Sequence, residues 1–198
     1  MKDKKFVLVL GGSRSGKSEF AEEVAARLGG PVTYLATLAA GDEEMLRRVA
    51  LHRERRPPDW VTVEETHHIP QKIAEMGRNS GVLLVDCLTG WITNLLLDGQ
   101  VPHPGASDAE KEEYIISRVA ELADAAANSR ASMLVVSDEV GLGLVPPYPL
   151  GRLFRDISGR ANRLLASRAD EVYLVVAGLA VEIKSLALNL GIGDRRKK

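Results

Sequence analysis

Short apolar runs alternate along this chain with longer stretches in which apolar residues recur every three or four positions. The short runs are rich in Val and Leu, which is typical of strands buried on both faces of a parallel sheet. They predict strands at 5–10, 32–36, 60–64, 82–86, 132–137 and 171–177. The longer stretches predict helices at 16–28, 42–55, 68–77, 89–98, 108–128 and 150–167. This alternation predicts an α/β fold with a mostly parallel sheet and helices on both faces.

The ends of the predicted helices and the loops indicate how the chain is divided. Asp42 and Asp108 each open a predicted helix, where an Asp side chain accepts a hydrogen bond from a free backbone N–H, so we expect both to be caps. The segment 98–107 holds two Gly and two Pro and predicts a surface loop, not a domain boundary. We therefore expect one catalytic domain over residues 1–190 and a flexible basic tail over 191–198.

Composition narrows the classes of function. The net charge of −1 does not favour a polyanion-binding surface, so we expect no nucleic-acid partner. No apolar run is long enough to cross a bilayer, and because the first predicted strand starts at residue 5 we expect no signal peptide. The single cysteine, Cys87, excludes an internal disulfide and fits a reducing cytoplasm, and we expect it to be a small buried side chain and not a nucleophile.

The segment between the first predicted strand and helix carries the clearest chemistry. It matches the P-loop pattern G-x-x-x-x-G-K-[ST] and consists of Gly11, Gly12, Ser13, Arg14, Ser15, Gly16, Lys17 and Ser18. Its glycines let backbone N–H groups surround a phosphate at the positive end of a helix. Lys17 then reaches the β- and γ-phosphates, and the Ser18 hydroxyl binds Mg²⁺. The sequence therefore predicts a nucleoside triphosphate substrate. Arg14 either contacts phosphate or is solvated.

Two further strands end in carboxylates. The strand at 82–86 ends in Asp86, which either binds Mg²⁺ beside the P-loop or caps the following helix, and the P-loop favours the metal role. The strand at 132–137 is followed by Asp138 and Glu139. Ligands of α/β proteins bind at the carboxyl ends of strands, but this pattern alone does not decide whether Asp138 and Glu139 bind a ligand.

A basic cluster surrounds one histidine. Arg53, Arg55 and Arg56 follow His52 directly, and their positive charge favours a neutral imidazole, which can attack phosphorus. The arginines would then hold phosphate oxygens. The same pattern also describes a solvated helix end, where arginines are stabilised by the helix dipole.

Several spaced motifs resemble one enzyme family over residues 5 to about 185. They are GGSRSGKS at 11–18, YLAT at 34–37, LHRERRP at 51–57, LLVDCLT at 83–89, TNLL at 93–96, DEVGLGLVP at 138–146 and FRDISGRANRLLA at 154–166. The chain thus resembles the bifunctional adenosylcobinamide kinase/adenosylcobinamide-phosphate guanylyltransferases of cobalamin biosynthesis. One point of departure is Asp138, where the resemblance leads us to expect Asn or Asp, depending on the member of the family.

The resemblance implies a RecA-like P-loop NTPase fold, a homotrimer and a guanylylated histidine at His52. It implies Mg²⁺ as the cofactor, ATP and GTP as substrates, and adenosylcobinamide and its phosphate as acceptors. It also implies nucleotide contacts from the P-loop and from Ala36, Thr37, Leu38, Arg53, Glu54, Arg55, Arg56, Glu64 and Asp86. Lys17 and His52 are the expected catalytic residues, and Ser18 and Asp86 the expected metal ligands.

Two other functions are consistent with a P-loop. A monofunctional small-molecule kinase needs no nucleophilic histidine and would form no GMP adduct. A regulatory nucleotide switch or motor couples hydrolysis to a partner, but the chain lacks the Asn-Lys-x-Asp motif with which regulatory GTPases bind guanine. The bifunctional enzyme is the interpretation that accounts for the most motifs.

Overall fold

The computed structural model describes residues 4–38, 56–79 and 81–188. Strands and helices alternate through most of these residues, although two helices follow one another at 88–128 and two strands at 171–182. The elements are β1 (Phe6–Gly11), α1 (Lys17–Leu28), β2 (Val32–Ala36), β3 (Val61–Glu64), α2 (Ile69–Met76), β4 (Val82–Asp86), α3 (Leu88–Leu97), α4 (Asp108–Asn128), β5 (Ser132–Asp138), α5 (Pro149–Arg168), β6 (Glu171–Val176) and β7 (Leu179–Glu182).

The described strands form one sheet in the order β3-β2-β4-β5-β1-β6-β7. The first six of these strands are parallel, and only β7 runs antiparallel to its neighbour β6. Strand β5 lies between β1 and β4, so Gly11 pairs with Asp138 and Asp86 pairs with Val136. The carboxyl ends of the parallel strands therefore meet at one edge of the sheet, which is where ligands bind in open α/β folds.

The two faces of the sheet are buried by different helices. Along β1, Phe6, Leu8 and Leu10 belong to a cluster that also contains buried side chains of α2, α3, α4 and α5. Val7 and Val9 belong to a second cluster with Ala21 and Ala25 of α1. Side chains of a strand alternate between faces, so a run that is apolar at every position indicates cover on both sides. The predicted fold class is thus confirmed.

The far edge of the sheet differs from the prediction. The sequence predicts a single strand at 171–177, whereas the chain turns at Ala177 and Gly178 and returns as β7. Both turn residues have positive φ, 51° and 80°, which is the conformation of tight hairpin turns. The helix predicted at 42–55, the cap predicted at Asp42 and the tail predicted at 191–198 lie outside the described residues.

The prediction that Asp108 caps α4 was wrong. Ser107 is the cap: its Oγ accepts a hydrogen bond from the backbone N–H of Glu110, and the Glu110 carboxylate accepts one from the backbone N–H of Ser107. This reciprocal capping box leaves Asp108 as the first helical residue, where its negative charge interacts favourably with the positive end of the helix dipole. No described helix has the length and apolar character needed to cross a membrane.

Candidate active site at the carboxyl edge of the sheet

The P-loop connects β1 to α1 and its backbone is shaped by two glycines. Gly16 has φ of +91°, a left-handed conformation that favours glycine. Gly11 is in close contact with its surroundings, because an added Cβ would lie 2.4 Å from Ser15 Oγ and 2.7 Å from the Val175 carbonyl oxygen. Among the described residues Ser15 Oγ has no hydrogen-bond partner although it is buried. A polar atom buried in this way inside a P-loop suits a loop that closes on an anion.

Lys17 is the first residue of α1 and lies against the end of β5. Its Nζ is 2.6 Å from Asp138 Oδ1 and donates a hydrogen bond to the Gly12 carbonyl oxygen at 3.2 Å. The Lys17 side chain is only 12% exposed, whereas that of Asp138 is 30% exposed. The other carboxylate oxygen of Asp138 accepts a hydrogen bond of 2.6 Å from Thr89 Oγ1 of α3. Helix α1, strand β5 and helix α3 thus meet at one carboxylate.

A buried hydrogen-bond network fixes the end of β5. Asn162 of α5 donates through Nδ2 to the Asp138 carbonyl oxygen at 3.1 Å, and its Oδ1 accepts from Ser137 Oγ at 2.6 Å. Both Asn162 and Ser137 are buried. The backbone N–H of Glu139 donates to the Gly11 carbonyl oxygen at 3.0 Å, which joins this strand end to the P-loop. A buried network in which each group is paired holds its members in one arrangement.

Asp86 ends β4 at the same edge and is bound by a tyrosine. The Tyr34 hydroxyl of β2 donates to Asp86 Oδ2 at 2.7 Å. Tyr34 is buried, and this burial, together with the negative charge of Asp86, raises the pKa of its hydroxyl group well above the ordinary value. Tyr34 therefore remains a hydrogen-bond donor at any physiological pH.

Arg56 covers the other side of the same tyrosine. Its guanidinium carbon lies 3.3 Å from the centroid of the Tyr34 ring, and Nη1 donates to Thr62 Oγ1 of β3 at 3.1 Å. A guanidinium stacked on an aromatic face is attracted by the negative charge of the ring, and the contact is stronger when it is desolvated. The residue that ends the basic cluster is therefore joined through Tyr34 to Asp86.

The segment after β2 is held by α3. Thr37 is buried; its Oγ1 donates to the Cys87 carbonyl oxygen and accepts from the Cys87 backbone N–H, at 2.6 and 2.9 Å. Asn94 Nδ2 donates to the Thr37 carbonyl oxygen at 2.6 Å. These bonds position Ala36 to Leu38 beside the end of β4, where Ala36 pairs with Asp86.

Cys87 has a role that its position in the sequence does not predict. It is only partly buried; its Sγ accepts a hydrogen bond from the Gly90 backbone N–H at 3.3 Å and lies 3.3 Å from Thr89 Oγ1, whose hydrogen is donated to Asp138. The sulfur therefore caps α3 at its first turn. Desolvation and the charges of Asp86 and Asp138 raise the pKa of the thiol to about 12, so it is held in its neutral form.

The structure brings most of the predicted site residues to this edge. They are Gly11 to Ser18, Ala36 to Leu38, Arg56, Glu64 and Asp86; Glu64 ends β3 and pairs with Ala36 in register. The predicted nucleophile and its neighbours lie outside the described residues; these are His52, Arg53, Glu54 and Arg55. Arg14 is exposed and has a positive φ of 56°.

Two side chains at the site are not predicted from the sequence, and the role of a third is left open by it. Tyr34 lies in β2 and resembles a core residue, and Thr89 lies in an apolar helix. Tyr34 opens the YLAT motif and Thr89 ends the LLVDCLT motif, but neither motif shows what its side chain contacts. Asp138 could be noticed because a carboxylate follows a strand, but its contact with Lys17 depends on β5 being inserted beside β1.

The donor set of this edge fits Mg²⁺. Ser18 offers a hydroxyl and Asp86 a carboxylate, both hard oxygen ligands. Mg²⁺ at nucleotide sites retains waters and binds substrate phosphates, so one or two protein ligands suffice. The Tyr34 hydrogen bond would orient Asp86 toward such an ion.

Comparison with known proteins agrees with this geometry. The family model described as cobinamide kinase / cobinamide phosphate guanyltransferase matches residues 7–183. This chain therefore belongs to that family. The family model covers β1 through β7, so the P-loop, Asp86 and Asp138 all lie within the matched region.

Curated relatives match over almost their whole length. The bifunctional adenosylcobalamin biosynthesis protein CobU of Escherichia coli K12 is 42% identical over 90% of this chain and 99% of its own length. CobP of Pseudomonas aeruginosa, which has the same descriptive name, is 42% identical over 89% of this chain and 96% of its own. CobU of Salmonella typhimurium LT2 is 39% identical over 90% of this chain and 99% of its own length.

Solved structures of low sequence identity share the fold. An ATPase from the type III secretion system of pathogenic bacteria superposes with a TM-score of 0.52 at 14% identity, covering 94% of this chain and 59% of the other. A protein from Pyrococcus horikoshii OT3 superposes with a TM-score of 0.50 at 9% identity, covering 90% and 85%. These similarities concern the arrangement of strands and helices only.

Proposed function

We propose that this chain, as a member of the cobinamide kinase / cobinamide phosphate guanyltransferase family, carries out two transfers at one P-loop site. In the first, ATP or GTP phosphorylates the free hydroxyl of adenosylcobinamide. In the second, GMP from GTP is transferred to adenosylcobinamide phosphate, which gives adenosylcobinamide-GDP and pyrophosphate. The observation that carries the proposal is the position of Lys17 at the carboxyl edge of the sheet, in a chain whose residues 7–183 match this family.

Phosphoryl transfer requires alignment and charge neutralisation more than covalent chemistry by the protein. Backbone N–H groups of residues 11–18 surround the phosphates, and Lys17 contacts the β- and γ-oxygens. Ser18 and Asp86 would hold Mg²⁺, which neutralises charge on the same oxygens when bound. The position of Lys17 supports this assignment, because its ammonium group lies at the sheet edge that the triphosphate would occupy.

Guanylyl transfer proceeds in our proposal through His52. A neutral ring nitrogen attacks the α-phosphorus of GTP, pyrophosphate leaves, and GMP remains bound to His52. The phosphate of adenosylcobinamide phosphate then displaces the imidazole, which is a good leaving group as well as a nucleophile. The basic residues after His52 would bind the phosphates, and support comes from Arg56, which lies next to the Asp86 site through Tyr34.

The proposal extends to contacts and assembly. We assign nucleotide binding to residues 11–18, 36–38 and 53–56, to Glu64 and to Asp86. We also assign one catalytic domain to residues 1–190, a cytoplasmic location where ATP and GTP are available, and a homotrimer. Apolar side chains exposed after β5 support self-association, since large exposed apolar patches mark contact surfaces; they include Leu142, Leu144 and Val145.

One experiment tests both activities. The purified protein is incubated with adenosylcobinamide, Mg²⁺ and either ATP or GTP, and the corrinoid products are identified by mass spectrometry. We expect adenosylcobinamide phosphate with either nucleotide and adenosylcobinamide-GDP only when GTP is present. Lys17→Ala should lower both products by at least about 100-fold, since it removes a charged contact to the phosphates. Phosphorylation without guanylyl transfer would instead identify a monofunctional kinase, and light scattering on the same sample tests for a trimer of the 21.5 kDa chain.

A further inference from the structure

Asp138 is a carboxylate that the P-loop pattern does not require. Its Oδ1 lies 2.6 Å from Lys17 Nζ, and its Oδ2 accepts the Thr89 hydroxyl hydrogen bond at 2.6 Å. The side chain is 30% exposed, so it can still be reached from the edge of the sheet. The backbone carbonyl oxygen of Asp138 accepts a hydrogen bond from Asn162 Nδ2. Because both carboxylate oxygens and the backbone carbonyl oxygen of Asp138 are hydrogen-bonded or ion-paired, its side chain has one defined orientation.

The contact with Lys17 places Asp138 beside the outermost phosphate. A P-loop lysine binds the β- and γ-phosphates of the nucleotide, so a group within hydrogen-bond distance of its Nζ lies next to the γ-phosphoryl group. Carboxylate and phosphate oxygens are both negatively charged acceptors, and they repel each other at this range. A proton donor between the two relieves the repulsion, and the hydroxyl that attacks the γ-phosphorus is such a donor.

We propose that Asp138 binds the attacking hydroxyl of adenosylcobinamide in the phosphorylation step and takes up its proton. The hydroxyl oxygen forms a bond to the γ-phosphorus while the bond from that phosphorus to the β–γ bridging oxygen breaks. The nucleoside diphosphate leaves with the electron pair of the broken bond, and the proton of the hydroxyl passes to the Asp138 carboxylate. The inference rests on the proposed function, because it requires a kinase step.

Asp138 serves only one of the two transfers. The group that attacks in guanylyl transfer is a phosphate monoester, whose oxygens are already ionised near pH 7 because its second pKa is about 6. It has no proton to give up, so a carboxylate acceptor brings no advantage there. Formation of the GMP adduct likewise uses an imidazole nitrogen. The two steps therefore differ in their need for Asp138, although they share Lys17.

Thr89 is a positioning residue for the same step. It is 3% exposed, and its hydroxyl fixes the carboxylate oxygen that Lys17 does not hold. Without this bond the carboxylate can rotate away from the hydroxyl while remaining charged. Thr89→Val, which is nearly isosteric, should therefore lower phosphorylation by about tenfold, within the range expected for a lost orienting contact. Thr89→Ser restores the hydroxyl and should restore the rate.

The test measures the two steps separately. Phosphorylation is followed from adenosylcobinamide with ATP, and guanylyl transfer from adenosylcobinamide phosphate with GTP. We expect Asp138→Ala to reduce phosphorylation by about 10²- to 10⁴-fold, the usual contribution of a general base, and to change guanylyl transfer and GMP labelling of the protein by less than about threefold. Asp138→Asn retains an acceptor oxygen but no charge and should fall between. Asp124→Ala removes an exposed carboxylate paired with Arg168 and should change neither step.

Each other outcome counts against the inference. An equal fall of both steps in Asp138→Ala would mean that the carboxylate serves Lys17 or the triphosphate in general. Full phosphorylation by Asp138→Ala would remove Asp138 from the reaction. If Asp138→Ala does not fold, judged by circular dichroism, the Thr89 variants decide, since a loss that affects both steps equally or is not rescued by Ser contradicts the proposal. A wild-type protein without phosphorylation would instead contradict the proposed function itself.

Discussion

The Tyr34 hydroxyl donates a 2.7 Å hydrogen bond to Asp86 Oδ2, and this pair links two parts of the site that are separate in sequence. Asp86 ends the strand beside β5, and Tyr34 carries the Arg56 guanidinium on its ring. Since Arg56 ends the basic cluster that begins after His52, the tyrosine connects the proposed nucleophile segment to the proposed metal ligand. Its buried hydroxyl orients that carboxylate.

Tyr34→Phe should weaken Mg²⁺ binding about tenfold, because it removes the hydrogen bond that orients Asp86 but leaves the ring under Arg56. The change in metal affinity is measured in two ways. Kinase activity is titrated with Mg²⁺, and binding of Mn²⁺ to the protein–nucleotide complex is followed by electron paramagnetic resonance. Tyr173→Phe is the matched control, since its hydroxyl donates to Glu171 at the start of β6, away from the P-loop edge. Equal metal affinities in Tyr34→Phe and the wild type would exclude this role.

His52→Ala should abolish guanylyl transfer and retain much of the phosphorylation, because only the second reaction uses the imidazole as a nucleophile. Incubation with α-labelled GTP followed by denaturation checks this directly. The wild-type protein should retain label that is released by acid, as expected for a phosphorus–nitrogen bond, and the variant should retain none. His103→Ala, an exposed histidine near Glu110, should label normally. Label on His52→Ala would place the nucleophile elsewhere.

Ser107→Ala should lower the free energy of unfolding by about 1 kcal/mol, the typical value of a lost N-cap. Asp108→Ala removes only a charge in the first turn of α4 and should cost less than about half of that. Urea denaturation of both variants measures the difference. The reverse order would mean that Asp108, and not Ser107, caps the helix in solution.

Glu182 should remain ionised in acid that protonates ordinary glutamates. Its carboxylate accepts hydrogen bonds from the backbone N–H groups of Ser185, Val172 and Lys184, and bonds to Ser185 and Val172 lower its pKa to about 2. Because the native pKa lies below the unfolded one, its stabilising contribution is present above pH about 4.3 and is lost as the pH falls toward 2. The difference in urea midpoint between the wild type and Glu182→Gln should therefore shrink over this interval. An NMR titration of Glu182 with a midpoint near 4.3 would contradict this assignment.

Much of the architecture follows from local patterns. Six of the strands and the helices within the described residues were predicted with ends correct to about one residue, since continuous apolar runs and helical periodicity report burial directly. Strand β7 was missed because it is only four residues long and its large apolar residues, Leu179 and Val181, are exposed, so no buried apolar run marks it. Ser107 was passed over as a cap in favour of its neighbour Asp108, and the two have similar intrinsic capping preferences.

The sequence by itself determined the P-loop, the carboxylates at two strand ends and the α/β class, because these depend on residues close together in the chain. Only the tertiary structure decided that β5 lies between β1 and β4, which brings Asp138 to Lys17 across 121 positions of sequence. It likewise decided that Tyr34 meets Asp86 and Arg56. Such neighbours are selected by the packing of whole strands and helices, and no single segment carries that information.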